Sequence, residues 1–142
     1  MKKTFKFYTA MFLAKCANKS LKLLRRNASY FPGNLALKIC PNFLEQIDKP
    51  PVIIGVTGTN GKTTTTSMIY NIIKEKGYSV ITNNTGANLF PGIVTTFVEN
   101  YKFFNKAEDK YAVIEVDEAN LKYITKYITP EIITVTNLFR DQ

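Results

Sequence analysis

The chain has 142 residues, 45% hydrophobic and 13% aromatic, which is enough apolar material for one folded core and argues against a disordered segment. The formal net charge of +8 is unevenly placed. Residues 1–50 hold ten Lys/Arg against Glu45 and Asp48, while residues 51–142 hold nine of each sign, so the basic pI argues for no nucleic-acid partner. With no His, and with Cys16 and Cys40 far apart, the composition argues against Ser-His and Cys-His nucleophile pairs, a zinc site and a disulfide framework, and it fits the reducing cytoplasm.

Thr4 to Arg26 reads as an amphipathic helix, with Leu13, Ala17, Leu21 and Leu24 along one face and Phe5, Tyr8 and Phe12 as a neighbouring stripe. Residues 1–26 carry eight Lys/Arg and no acid. Two readings are open: a helix packed on the flank of the fold with a solvated basic face, or one that approaches an anionic membrane surface. Lys6 interrupts the apolar run, and Lys15 stands where a small residue should precede Cys16, so a secretory or lipoprotein signal is disfavoured. No stretch approaches the roughly 18 apolar residues of a membrane span. Phe31-Pro32-Gly33-Asn34 reads as a turn, Pro41-Asn42 opens a short second helix through Ile47, and Lys49-Pro50-Pro51 closes a basic helical arm at residue 50.

From residue 51 the pattern becomes regular. Strands are expected at Val52–Val56, Tyr78–Thr82, Tyr111–Val116 and Ile132–Val135, with helices at Thr63–Lys76, Ile93–Phe104 and Glu118–Ile128. This alternation predicts an α/β fold of the P-loop type, a mostly parallel sheet flanked by helices, with ligands held beyond the carboxyl ends of the strands.

The most informative stretch lies at the first of those ends: Thr57-Gly58-Thr59-Asn60-Gly61-Lys62-Thr63-Thr64. Glycines between a strand and a helix line up backbone N–H groups at a helix N-terminus, where phosphate oxygens can be held. Lys62 adds a charge for the β/γ-phosphates, and the Thr63 hydroxyl can join a Mg²⁺ shell. The usual P-loop has Gly at the position of Val56; here the glycine is Gly58, in a more compact form. The bland alternative is an ordinary strand-to-helix turn.

The third strand ends in carboxylates, Glu115, Asp117 and Glu118. Period-two alternation puts Glu115 and Asp117 on one face, where an acid beside a phosphate loop can bind Mg²⁺. Glu115 stands inside an apolar strand, where an unpaired acid is costly, and this favours function. Asp117 reads equally as the N-cap of the next helix, and Glu118 as a first-turn acid. Asn83 to Asn88 either make a turn or supply amides near a phosphate or acyl group.

The loop string resembles the ATP loop of the Mur ligase superfamily, which includes the peptidoglycan amino-acid ligases and folylpolyglutamate synthases. Gly86-Ala87-Asn88-Leu89, Glu115-Val116-Asp117-Glu118-Ala119 and Asn137-Leu138-Phe139-Arg140-Asp141-Gln142 are similar to motifs of the MurT family, the ligase subunits of lipid II isoglutaminyl synthases. Amino-acid-adding Mur ligases typically carry Ser-Ser in place of Asp117-Glu118 and a metal-binding His in place of Gln142. The arm also looks MurT-like, at Leu13-Ala14-Lys15 and from Pro32 to Lys38.

The resemblance implies ATP and Mg²⁺ as cofactors. Gly58, Thr59, Asn60, Gly61, Lys62, Thr63, Thr64 and Asn88 would contact the nucleotide, Thr63 and Glu115 would hold the metal, and Lys62 and Glu115 would be catalytic. Asp117, Asn137 and Arg140 are candidates of lower rank. The implied reaction amidates the D-glutamate of the lipid II stem peptide through an acyl phosphate, with ammonia from a GatD-type glutaminase subunit, in the cytoplasm at the inner face of the membrane. Alternatives are another Mur-type amino-acid ligase or a non-catalytic ATP-binding module. The family's zinc insertion and C-terminal domain come later than these residues. The resemblance therefore implies the N-terminal part of a longer ligase, with residues 51–142 an incomplete ATP-binding domain. It would be inactive alone, since a loop without a closing domain leaves an acyl phosphate open to water.

Overall fold

In the computed structural model, which describes residues 3–26, 29–83, 87–103 and 109–138, the apolar runs after Pro51 form four parallel strands. They are β1 (Val52–Thr57), β2 (Val80–Thr82), β3 (Tyr111–Glu115) and β4 (Ile132–Val135), in the order β2-β3-β1-β4. The helices are α1 (Phe5–Leu23), α2 (Phe31–Ile39), α3 (Phe43–Gln46), α4 (Lys62–Glu75), α5 (Phe90–Asn100) and α6 (Glu118–Ile124). The fold is the α/β arrangement that the alternation predicts.

Two neighbouring central strands decide where chemistry can occur. β1 and β3 pair in parallel with Val56 opposite Glu115, so the acid arrives beside the point where β1 enters its loop. β4 flanks β1 on the other side with Val135 opposite Thr57. Both faces of the central strands β1 and β3 are largely apolar and buried, as parallel strands covered on two sides require, while the edge strand β4 is mostly exposed. Ile54, Val56 and Val113 pack under Ile69 and Ile73 of α4. Ile53, Ile81, Ala112 and Ile114 face the other way, into a core shared with α1, α2, α3, α5 and α6.

Phe31 to Asn34 is not a turn but the start of α2. Pro at the first helical positions costs no hydrogen bond, because those N–H groups have no intrahelical partner anyway. The same Phe-Pro-Gly sequence opens α5 at Phe90, ahead of the expected Ile93, and α5 ends at Asn100. Phe104, the expected end of that helix, lies outside the described residues. The two starts pack on each other: a Cβ on Gly33 would lie 1.9 Å from the Pro91 carbonyl oxygen, and the Gly33 N–H donates to Thr95 Oγ1 at 2.8 Å. Gly33→Ala is therefore expected to destabilise the protein by roughly 3 kcal/mol in urea unfolding, despite Ala's better helix propensity of about 1 kcal/mol. A change under about 0.5 kcal/mol would mean the two helices separate at little cost.

The face of α1 also differs from the expected one. Phe7, Ala10, Met11, Ala14 and Asn18 are buried, whereas Leu13 and Leu24 are exposed. The small side chains of Ala10 and Ala14 suit the close packing of α1 on α2. Phe7 stacks on Phe43 with centroids 4.9 Å apart and meets Tyr101 edge-on. The helix ends at Leu23 rather than Arg26, because Arg25 turns left-handed (φ 53°) and the N–H groups of Arg25 and Arg26 return to the Lys22 and Leu21 carbonyls. Its start is held by Thr4, whose side chain caps Phe7 and whose N–H donates to Gln46 Oε1 at 2.8 Å, and by the Lys3–Asp48 ion pair.

The remaining boundaries shift by a few residues. α4 begins at Lys62, β2 at Val80, β3 ends at Glu115, and α6 ends at Ile124 rather than Ile128.

Candidate functional site

The loop between β1 and α4 is shaped by two glycines with positive φ, Gly58 at 126° and Gly61 at 81°. Gly58 is crowded: a Cβ there would lie 2.3 Å from Thr136 Oγ1 and 2.7 Å from the Asn137 carbonyl oxygen. At Gly61 a Cβ would meet nothing, so that side of the loop is open. α4 starts at this open side with no side-chain cap and no acid in its first turn. Its first N–H groups and the positive end of its dipole are therefore left without a cap or acid from the helix's own first turn. A cleft of about 300 Å³ lies there, lined by residues 59–64 and Glu115.

Glu115 is 3% exposed, and its acid group is satisfied within this cleft. Thr63 Oγ1 donates to Glu115 Oε2 at 2.9 Å, and Asn88 Nδ2 donates to Oε1 at 3.3 Å. Asn83 holds the backbone of the same residue from both sides. Its Oδ1 accepts from the Glu115 N–H at 2.7 Å and its Nδ2 donates to the Glu115 carbonyl at 2.8 Å. Asn83 also donates to the Ala87 carbonyl at 2.9 Å, tying the Asn88 segment to β3. The sequence offers a turn or a ligand-facing amide at Asn83, and no local signal could have shown a partner 32 residues away.

The Lys62 ammonium folds over the loop, donating to the Gly58 and Thr59 carbonyls and meeting Glu118 Oε2 at 3.4 Å. Glu118 is thus both a first-turn acid of α6 and the counter-charge of Lys62. Asp117 does not join Glu115. The strand's alternation stops at Glu115, and Asp117 is the N-cap of α6, accepting from the Ala119 N–H at 3.1 Å.

β4 braces the loop from its far side. Asn137 Oδ1 accepts from the Asn60 N–H at 2.9 Å, the Asn137 carbonyl accepts from the Thr59 N–H at 3.1 Å, and Thr136 Oγ1 donates to the Asn60 carbonyl at 2.6 Å. Thr136 had no place among the sequence candidates. Asn137→Ala should leave the fold intact but lower nucleotide affinity about tenfold, the worth of one lost hydrogen bond that orders the loop. Titration with a fluorescent ATP analogue checks this, and unchanged affinity would remove Asn137 from the loop's support. Gly86, Arg140, Asp141 and Gln142 lie outside the described residues.

Among the described residues no cluster of three or more His, Cys, Asp or Glu could hold a metal by itself. The donor set still fits Mg²⁺, which binds oxygen, keeps several waters and commonly takes only one or two protein ligands beside phosphates. Thr63 Oγ1 and Glu115 Oε2 are such a pair at the cleft wall.

A parallel sheet whose first strand enters a glycine loop, followed by Lys-Thr at a helix start and an acid from the adjacent strand, defines an α/β protein of the phosphate-loop class. Within that class the chain belongs to the Mur ligase family: the Mur ligase middle domain matches residues 56–141. Over 139 residues, 95% of the chain, it is 37% identical to the lipid II isoglutaminyl synthase subunit MurT of Staphylococcus aureus, and over 114 residues, 80% of the chain, 44% identical to that of Streptococcus pneumoniae. A UDP-N-acetylmuramoylalanine–D-glutamate ligase of Clostridium acetobutylicum is 40% identical over 90 residues, 63% of the chain and 17% of that ligase. The chain spans 30% and 25% of the length of the two MurT relatives. The structure of a UDP-N-acetylmuramoylalanyl-D-glutamyl-2,6-diaminopimelate–D-alanyl-D-alanyl ligase from Acinetobacter baumannii shares the fold, with TM-score 0.55 and 23% identity over 71% of this chain and 22% of that one.

Proposed function

We propose that this chain carries the ATP-binding part of a MurT-type ligase, which amidates the D-glutamate of the lipid II stem peptide. The observation that carries the nucleotide reading is the Thr63–Glu115 pair facing the open side of Gly61, at an α4 N-terminus with no side-chain cap and no acid in its own first turn. The similarity to MurT over most of the chain supports the choice within the family, as does Asp117-Glu118 where amino-acid-adding Mur ligases typically carry Ser-Ser.

In this reading the backbone from Gly58 to Gly61 and the first turn of α4, with Thr64, hold the phosphates of ATP. Lys62 leaves Glu118 to neutralise the β/γ-phosphates, and Asn88 reaches the γ-phosphate. Thr63 and Glu115 hold Mg²⁺, which when bound supplies charge neutralisation for phosphoryl transfer. The D-glutamate carboxylate takes the γ-phosphoryl group and releases ADP. Ammonia from a glutaminase subunit then displaces phosphate to leave the amide. The protein works in the cytoplasm at the inner face of the membrane, where its substrate is anchored; no described helix is long and apolar enough to cross.

A longer ligase that carries these residues, given ATP, lipid II and either ammonium or glutamine with a glutaminase subunit, should yield amidated lipid II with stoichiometric phosphate. Incorporation of an amino acid instead would give the chain to an amino-acid-adding Mur ligase. Nucleotide binding with no phosphate release would leave it a binding module.

A further inference from the structure

α1 has two apolar sides, and the fold covers only one. Phe7, Ala10, Met11 and Ala14 lie in the core, while Phe5, Phe12 and Leu23 are 87%, 60% and 84% exposed. Phe12 and Leu23 follow Phe5 by seven and eighteen residues, close to whole turns of 3.6, so the three lie on one line along the outer side. Exposed Cys16 falls on the same line. An outward row of large apolar groups spread over about 27 Å of helix is not explained by the core of this chain.

The charges around α1 divide in the same way. Lys3 and Lys22 turn inward to Asp48 and Glu99, and Lys15 reaches the Glu99 carbonyl. Lys6, Lys19, Arg25 and Arg26 are exposed and make no ion pair among the described residues. No acid occurs before Glu45. The outer side thus offers an apolar line flanked and ended by uncompensated cations.

We propose that the outer side of α1 is a docking surface for an anionic lipid bilayer, lying in the interface with Phe5, Phe12 and Leu23 inserted below the headgroups. Charge complementarity fixes the sign of the partner, and the apolar line fixes its character, since a nucleic acid would meet the cations but leave an aliphatic Leu23 unmatched. Such helices bury their apolar side at the boundary of headgroup and acyl chain, with Lys and Arg reaching the anionic layer. The surface rests on α1 alone and is independent of whether the loop binds ATP.

The test is co-sedimentation of the 142-residue chain with vesicles of phosphatidylcholine, with and without about a third phosphatidylglycerol. Two exposed double variants accompany it, Phe5→Ser with Phe12→Ser and Lys19→Glu with Arg26→Glu, with thermal melts to show that folding is kept. The expected result is binding to the anionic vesicles only, weakened roughly tenfold or more by either variant and by salt near 1 M, where the Debye length falls to about 3 Å. Equal binding to both vesicle types, no binding to either, or full binding by both folded variants would overturn the proposal. So would a dimer in sedimentation that the Phe5/Phe12 variant dissociates, because a second copy would then be the occupant.

Discussion

Lys62→Ala is expected to lower ATP turnover by the ligase that carries this loop by about two to three orders of magnitude, the scale of losing a charge aimed at the transferring phosphoryl group. The side chain donates to the Gly58 and Thr59 carbonyls and meets Glu118, so two explanations of such a loss must be separated. If Lys62 were only a strut for the loop, removing its partner in Glu118→Gln should also harm nucleotide binding. If Lys62 instead has to leave Glu118 for phosphate, Glu118→Gln removes a competitor and should leave affinity unchanged or raise it. The pair is partly exposed, so its own contribution to stability is small and both variants should melt close to the parent. Steady-state turnover together with Mg·ATP titration of the two variants decides the matter. Parental turnover in a folded Lys62→Ala protein would remove the phosphate-binding assignment.

What the sequence discloses and what it conceals follow from the range of the forces involved. The β1 loop is legible because its chemistry is local: Gly58 and Gly61 occupy positive-φ positions that other residues rarely take, and Lys-Thr follows at once. Glu115 is legible because an acid among Tyr111, Ala112, Val113, Ile114 and Val116 needs a reason to be there. The parallel sheet is legible from runs of Val and Ile spaced by helical stretches. α2 is not, because Phe-Pro-Gly has the local chemistry of a turn and becomes a helix start only through its packing on α5. The buried side of α1 is hidden for a similar reason. Its leucines suggest one stripe, yet Phe7 finds Phe43 and Tyr101 and the two alanines pack toward the core, so tertiary contacts choose the other. The bracing roles of Asn83 and Thr136 are hidden because their partners, Glu115 and Asn60, lie far along the chain.

Glu115→Gln should be the most damaging conservative change in the cleft and Asp117→Asn a mild one, although a single residue, Val116, separates the two acids. Glu115 accepts from Thr63 on one oxygen and from Asn88 on the other. A Gln can keep both contacts, with its Oε1 toward Asn88 and its Nε2 toward Thr63, whose hydroxyl then accepts instead of donating. Stability should therefore fall by only about 1 kcal/mol, the difference between a charged and a neutral acceptor. What disappears is the negative charge at a position suited to Mg²⁺, so turnover should drop by about a hundredfold or more and recover in part as Mg²⁺ is raised. Asp117 points elsewhere, to the Ala119 N–H and the Asn120 side chain at the start of α6, and Asn caps a helix nearly as well as Asp. Its replacement by Asn should leave turnover within a few-fold of the parent at any Mg²⁺ concentration. Turnover measured across a Mg²⁺ series, alongside thermal melts, separates the two roles. A larger, Mg²⁺-dependent loss in a stable Asp117→Asn protein would mean that the metal is held at the start of α6 and that Glu115 serves only to order Thr63 and Asn88.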